Sequence, residues 1–454
     1  MNRQAFLAAV RAAGIVGQGG AGFPAHAKYA TPEGGIDTVI ANGCECEPLL
    51  HTDAHTLTHE GESVLRGLAT LAAAVGAGRA VLGIKKKHGS LIKALSGSAT
   101  VLGVEIFLLD DFYPAGDEQV LVCEITGRSV PPLGIPLAVK TVVANVGTLA
   151  NVDLALSRPG TAPTPVTHKT LTVTGEVRNP SVLRAPIGTP LTECLIACGG
   201  ALPADPVFIL GGPMMGRVVE GLTALEQEVA TKTTGGLIAL HSGHPLHRNA
   251  TTSIAFMRRR AASACIQCRI CSDLCPRTLI GHPFETHRVM RAFAANCEMS
   301  AEAGKLATMC CECGVCEQYA CPMGLSPRRI NQTVKADLRK ADIHYEGSRT
   351  IREEFAAWRA YRKIPVPRLA ARIGIEAYMH LETPFIGDIM PHCVVIPLRQ
   401  HIGAAAVPVV SAGDTVHIGD CIGEIPENTL SARVHTSVSG IVESVTDSVR
   451  IVVR

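Results

Sequence analysis

Apolar positions along this chain recur with two periods, and the switches between them mark out its elements. Residues 2–13 carry a helical pattern, and Thr38–Ala41 is a short β-branched strand. A helix over about Glu62–Val75, a strand Ala80–Lys85, a helix Ser90–Leu95 and a strand Val101–Leu109 follow. This β-α-β rhythm predicts a parallel sheet. Arg158–Pro165, rich in Pro and Thr, reads as a linker. Beyond it, Leu171–Val177, a turn at Asn179-Pro180, Val182–Ala185 and an apolar helix Leu191–Cys198 stopped by Gly199-Gly200 predict a small β-rich unit. Pro283–Ala295 is helical in pattern. Ser348–Tyr378 is amphipathic and basic, interrupted at Ile364-Pro365-Val366-Pro367, and predicts a helical brace. The last block alternates with period two between glycine turns, the mark of a small β fold.

Composition narrows the function classes. A chain of 454 residues exceeds one ordinary core. A formal net charge of +2, a single Trp358 and the lack of basic runs interleaved with aromatics speak against nucleic-acid binding. Met1–Val16 is broken by Arg3 and Arg11 and has no small-residue cleavage site, unlike a secretory signal. No uncharged apolar run reaches the length of about eighteen residues that a spanning helix needs. Seventeen cysteines without an export signal suit a reducing cytoplasm, where thiolates remain available as ligands.

The cysteines supply the chemistry. Cys265, Cys268, Cys271 and Cys275-Pro276 have the bacterial ferredoxin spacing, in which three close thiolates hold one [4Fe–4S] cube and the fourth reaches a second. Cys310, Cys313, Cys316 and Cys321-Pro322 form a second run, with four residues in place of three before its last cysteine and Cys311 surplus. Crossed ligation assigns one cluster to Cys265, Cys268, Cys271 and Cys321, and the other to Cys310, Cys313, Cys316 and Cys275. The alternative is a pair of structural zinc sites, which pair Cys-x2-Cys units across a longer loop. Just upstream, Arg258-Arg259-Arg260 is either a solvated helix face or a docking patch for an acidic partner.

Toward the N-terminus, Gly17-Gln18-Gly19-Gly20-Ala21-Gly22 lets backbone amides approach a phosphate or flat ring, with Lys28 close behind; a plain turn is the alternative. Asn42-Gly43-Cys44-Glu45-Cys46-Glu47 follows a strand end, where open α/β sheets place ligand contacts. Lys85-Lys86-Lys87-His88 is a wet face or a phosphate contact. Gly116-Asp117-Glu118 heads a helix, and Asn145-Val-Gly147 closes the set. Cys194 and Cys198 read as buried small hydrophobes, and Met214-Met215 as core packing. His282 and His392 are lone histidines, more often core or surface groups than ligands.

In this order the motifs of residues 13–150 resemble the flavin- and NADH-binding subunit of respiratory complex I and its relative RnfC. The resemblance implies FMN on Gly17, Gly19, Gly20 and Gly22, with Lys28, Asn42, Glu45, Asp117, Glu118 and Asn145 around it. NADH would stack above, with Glu47 and Glu118 in catalytic roles. Cys44 stands where the complex I subunit has an acidic residue. The β-rich unit resembles the soluble-ligand-binding β-grasp (SLBB) module, and the last block the RnfC barrel-sandwich. Biotinyl and lipoyl carriers share that outline but need a lysine, and none follows Lys363.

The expected architecture is therefore multidomain α/β: a flavin-subunit-like α/β domain (1–160), a β-grasp domain (166–247), a two-cluster ferredoxin-type module (253–345), the helical brace (346–390) and a barrel-sandwich domain (391–454). In RnfC the barrel-sandwich comes first, whereas here it comes last, an order similar to that of the cobalamin reductases of propanediol-utilisation microcompartments. That resemblance implies NADH oxidation through FMN and two [4Fe–4S] clusters, with cobalamin reduced for a corrinoid adenosyltransferase. It also implies residence in the microcompartment lumen and contact with a shell protein. Two alternatives stay open: a peripheral RnfC-like subunit of an ion-pumping NADH:ferredoxin complex, and a non-catalytic iron–sulfur relay.

Overall fold

The computed structural model describes residues 2–30, 35–156, 161–297 and 302–454. Residues 158–160 of the expected linker lie outside them.

The N-terminal unit is built on a four-stranded parallel sheet in the order Val104–Leu109, Arg79–Lys85, Thr38–Gly43, Thr141–Asn145. Its strands are apolar on both faces, as a sheet covered on both sides requires. Val39, Ala41, Val142 and Ala144 pack with Leu57, Val64, Leu65 and Leu68 of the long helix Thr52–Val75. Ile40, Val81 and Val143 face Leu121, Val122 and Ile125 of the helix Glu118–Thr126. The helix Thr52–Val75 lies directly on Val146–Leu156, because a Cβ at Gly67 would stand 2.1 Å from the Leu149 carbonyl oxygen. The helix expected over Ser90–Leu95 spans Gly89–Val101, so the next strand starts at Val104 rather than Val101.

The second unit is a six-stranded sheet ordered Phe385–Asp388, Ser181–Pro186, His168–Gly175, Gly236–His241, Pro206–Leu210, Arg217–Glu220. Leu191, Cys194, Leu195 and Cys198 on one helical face seal it, both cysteines fully buried. Its edge strand Phe385–Asp388 comes from far along the chain, out of the segment read as a helical brace.

That brace is not a continuous helix. It breaks into turns at Glu353–Ala356 and Arg359–Tyr361, a strand Ile364–Pro365 paired with Phe112–Tyr113, and a helix Val366–Ile373. Prolines at 365 and 367 remove ladder and helix donors, and Gly374 (φ +79°) ends the last helix. The strap clips the first unit to the cluster region, with Lys363 on Glu124 at 2.8 Å and Arg362 on the Asp273 carbonyl at 3.1 Å.

The cysteine region is helical, with its core formed by Val289, Met290 and Phe293 of Thr286–Ala294 against Ile330, Val334 and Leu338 of Pro327–Lys340. The C-terminal block pairs Cys393–Pro397, Ser448–Val453, Gly440–Val445 and Thr415–Val416 in one sheet, and Val407–Pro408, Cys421–Glu424 and Val434–His435 in another. Its inward Val394, Ile396, Val434 and Ile451 join the same apolar cluster as Val10, Ala13 and Ile187, so this block packs against the first unit. Among the described residues no helix is long and apolar enough to cross a membrane.

Candidate functional site

The strand order of the parallel sheet reverses at Thr38–Gly43: the chain first adds strands on one side of it and then places Thr141–Asn145 on the other. Ligands of open α/β sheets bind beyond the carboxyl ends of the strands flanking such a reversal. Asn42 and Asn145 occupy those two ends and are register partners. The Asn42 amide donates to the Gly116 carbonyl (2.9 Å) while its oxygen accepts from the Cys44 N–H (3.1 Å). The Asn145 amide donates to the Asp53 carboxylate at 2.9 and 3.1 Å, and its oxygen accepts from the Gly147 N–H (2.9 Å).

The glycine loop walls this crevice. It is pinched at its base by Gly17 N–H to the Phe23 carbonyl (2.9 Å) and anchored by Gln18 N–H to the Thr148 hydroxyl (2.9 Å). Gly19, Gly20 and Ala21 are exposed or half-buried, and a Cβ at Gly20 (φ +103°) meets nothing within 4 Å, so this backbone borders open space. Gly22 is buried, its carbonyl taking the Ile402 N–H (3.1 Å) from the C-terminal block. Lys28 Nζ reaches Glu118 at 2.6 Å across the crevice mouth.

Asp53 and Lys169 join this site without a motif to announce them, and Tyr113 joins it from the motif that runs on to Gly116-Asp117-Glu118. Glu45 accepts from the Asp53 N–H (2.9 Å), and burial raises both carboxyls above the usual range, with repulsion from Asp53 adding to the rise at Glu45. Lys169, 5 % exposed, enters from the second unit to donate to Gln18 Oε1 (2.7 Å), and burial lowers it to about 8. Glu47 is pushed up to about 7 by burial; it accepts from the Met214 N–H (2.8 Å) and lies 3.5 Å from the Tyr113 hydroxyl. Met214 is thus more than packing: its carbonyl also takes Arg328 (2.7 Å), while Met215 is half exposed.

Asp117 caps the helix Glu118–Thr126 through the Gln119 and Val120 N–H groups (both 3.1 Å) and forms a bidentate pair with Arg277 at 2.6 and 3.0 Å. Burial alone would raise Asp117, but the guanidinium outweighs it and holds the carboxyl below its ordinary value. Its oxygens are therefore engaged with the cysteine region. The Lys85–Lys87 run is a solvated face at Lys86 and Lys87, paired with Asp110 (2.8 Å) and Asp111 (3.0 Å), while Lys85 is buried on Asp111 (2.8 Å).

Two cavities lie beyond the crevice. One is lined by Cys265, Cys268, Cys271 and Cys321, the other by Cys275, Cys310, Cys313 and Cys316 with Cys311 beside them. The extra residue before Cys321 is absorbed by a π-helical turn over Val315–Ala320, which inserts one position while keeping the helix axis. The Tyr113 hydroxyl donates to the Cys313 carbonyl (2.6 Å), tying the second cavity to the crevice wall. His282 is a core histidine, 1 % exposed, with Nε2 on the Val130 carbonyl (2.8 Å); His392 is exposed.

Family models match along the chain: the Nuo51 FMN-binding domain over 10–154, the SLBB domain over 170–218, a 4Fe–4S dicluster domain over 264–326 and the RnfC barrel-sandwich hybrid domain over 382–452. The chain is 41 % identical over 98 % of its length, and 95 % of the relative's, to the cobalamin reductase PduS of Citrobacter freundii. It belongs to the PduS cobalamin reductase family. The PduS of Salmonella typhimurium is 40 % identical over the same shares. A component of the Na+-translocating ferredoxin:NAD+ oxidoreductase complex of Acetobacterium woodii is 34 % identical over 61 % of this chain and 58 % of that one. Among PduS-type chains this one accordingly carries an FMN-binding domain of the Nuo51 type and a 4Fe–4S dicluster domain.

The residues present suit both groups. The open-faced glycine backbone, the two strand-end asparagines and Lys28 offer donors to a flavin and its phosphate. The eight cysteines surround two spaces, four lining each.

Proposed function

We propose that this chain is an NADH-dependent cobalamin reductase, taking electrons at an FMN in the crevice and passing them through two [4Fe–4S] clusters to a corrinoid cobalt that a partner adenosyltransferase then alkylates. The observation that carries this reading is the junction of the sites: a strand-end crevice is joined through Tyr113 and Arg277 to the cysteine region, where two cavities are each lined by four cysteines. When bound, the flavin accepts a hydride and releases electrons singly, and each cluster carries one. In this scheme Gly17, Gly19, Gly20 and Gly22 cradle the flavin with Lys28, Asn42 and Asn145. Glu118 and Glu47 border the nicotinamide side, and the Glu45–Asp53 pair holds a proton beside the crevice. Asp117 acts by fixing Arg277 and the helix start rather than by touching the flavin. Cys265, Cys268, Cys271 and Cys321 hold one cluster; Cys275, Cys310, Cys313 and Cys316 hold the other. We place the enzyme in the microcompartment lumen, with a shell protein as neighbour. An ion-pump component is the weaker reading, since relatives of that kind cover only about 60 % of this chain.

The anaerobically purified protein should contain about eight irons, eight sulfides and one FMN per chain. It should reduce cob(II)alamin with NADH when an adenosyltransferase traps the product. Zinc in place of iron, or a protein without flavin, overturns the reading.

A further inference from the structure

The two cysteine sets meet solvent differently. Cys275, Cys310, Cys313 and Cys316 are all buried, whereas in the other set Cys321 is buried, Cys268 is exposed and Cys265 and Cys271 are half-buried. Every residue from Ile266 to Ile270 is exposed. Ile266 (63 %) and Met323 (37 %), which line that cavity, with Ile270 (37 %) next to Cys271 in the chain, therefore present an apolar collar on its Cys268 side. Exposed apolar surface concentrated at one functional site, rather than scattered singly, marks an interaction surface.

The rim of the collar is basic. The guanidinium of Arg260 on the helix Ile254–Ala264 reaches the Met323 carbonyl (3.1 Å), with Arg259 exposed beside it. Arg269, within the collar, is shared between Glu285 (3.1 Å) and Asp273 (3.9 Å). Among the described residues no carboxylate pairs with Arg259 or Arg260. The buried set is instead held to the crevice wall by the Tyr113–Cys313 and Asp117–Arg277 contacts.

We propose that electrons enter by the buried set and leave by the exposed one, whose collar docks a one-electron acceptor protein with an acidic rim. This deepens the function proposed above and rests on it. For each NADH oxidised to NAD+ and a proton, two partner molecules, each holding one cob(II)alamin, gain one electron apiece on cobalt. An apolar centre ringed by charge of one sign fits a partner of the opposite sign; the centre supplies affinity, while the rim sets encounter rate and salt dependence.

The probe is an acidic plant-type [2Fe–2S] ferredoxin, with basic cytochrome c as counter-probe, and binding to the holoprotein is read by surface plasmon resonance. The ferredoxin should bind, and its Kd should rise at least about tenfold between about 50 and 500 mM salt as the rim charges are screened. Arg259→Glu with Arg260→Glu should raise Kd about tenfold at low salt, with iron content and NADH-driven reduction of a small dye unchanged; Ile266→Asp should weaken binding comparably. The proposal falls if ferredoxin binds these variants as tightly as the parent, or if cytochrome c binds the parent equally well. It falls also if Ile266→Asp alters only the KM for free cobalamin, since the collar would then be a corrinoid site. Loss of NADH oxidation in the parent would sink the cobalamin reductase reading instead, and the binding measurements tell the two failures apart.

Discussion

The cysteine cavities and the crevice are made in opposite ways. All eight sulfurs come from residues 265–321: three of the four lining each cavity belong to one short run, Cys265, Cys268 and Cys271 or Cys310, Cys313 and Cys316, and the fourth crosses over from the other run. The crevice is assembled from distant parts: the glycine loop, two strand ends, Lys169 from the second sheet, and Gln400 to Ile402 from the C-terminal block behind Gly22. A locally encoded site is readable from the chain, whereas a site made by docking shows only its backbone signals.

Where the two regions join, the contacts are buried and charged, and a change there should have the largest effect. Asp117→Ala strands the Arg277 guanidinium, whose side chain is 10 % exposed, without its counter-ion. The expected loss is about 3–5 kcal/mol, read by denaturant unfolding of the holoprotein, with iron content falling alongside. Joint replacement of Asp117 and Arg277 by apolar residues should recover much of that loss, and failure to do so would mean that the capping role of Asp117 dominates. Tyr113→Phe comes next. It leaves the buried Cys313 carbonyl without its donor at a cost of about 1–3 kcal/mol. If electrons enter by the buried cavity, the variant should also slow cluster reduction by NADH more than flavin reduction.

The legibility of the two regions follows the same division. The ferredoxin spacing, the glycine loop and the strand-end asparagines stand out because each is a short motif answering a local backbone need. The contacts of Tyr113 and Arg277 do not, because their partners Cys313 and Asp117 lie 200 and 160 positions away. Asp53 and Lys169 carry no motif at all; a buried lysine becomes visible only once strand His168–Gly175 is laid beside the crevice. The Ser348–Tyr378 strap mimics one helix in its sequence because its amphipathic pattern reflects docking on two units, not one helix face. The surplus residue of the second cysteine run is legible as an anomaly, but its solution, the π turn, is not.

Behind the crevice, Gly22 tests whether the C-terminal block props the glycine loop. At φ +65°, a Cβ there would lie 3.1 Å from Thr233 Cγ2, 3.2 Å from the Gln400 carbonyl and 3.3 Å from His401 Cα. Gly22→Ala should cost about 1–2 kcal/mol from the left-handed backbone, with further crowding, and should lower flavin content while the iron count holds. Gly19→Ala, whose Cβ would meet only Asn145 Cβ at 3.6 Å, is the control and should change stability little. Equal flavin loss in both would show that any side chain in the loop is harmful and that the block's support is incidental.

The smallest expected effect concerns how this same seam responds to acid. Lys232, 1 % exposed, donates to the Gly14 and Arg433 carbonyls (both 2.7 Å), and His435 lies in the same pocket with Nδ1 unpartnered. Burial first, then the neighbouring Lys232 and Arg433 charges, lower His435 to about 3 from 6.5. Between those values the unfolded chain binds a proton that the folded chain does not, so stability contributed by the neutral ring is present above pH 6.5 and drains away as pH falls toward 3. By about pH 5.5 the loss is about 1.4 kcal/mol from this group. His435→Asn should flatten the fall in unfolding free energy between about pH 7.5 and 5.5 by roughly that amount, while lowering stability at the upper end only through lost packing. An unchanged pH slope in the variant would place the acid sensitivity elsewhere, with His282 at the cysteine seam, itself lowered to about 4 chiefly by burial, as the next group to replace.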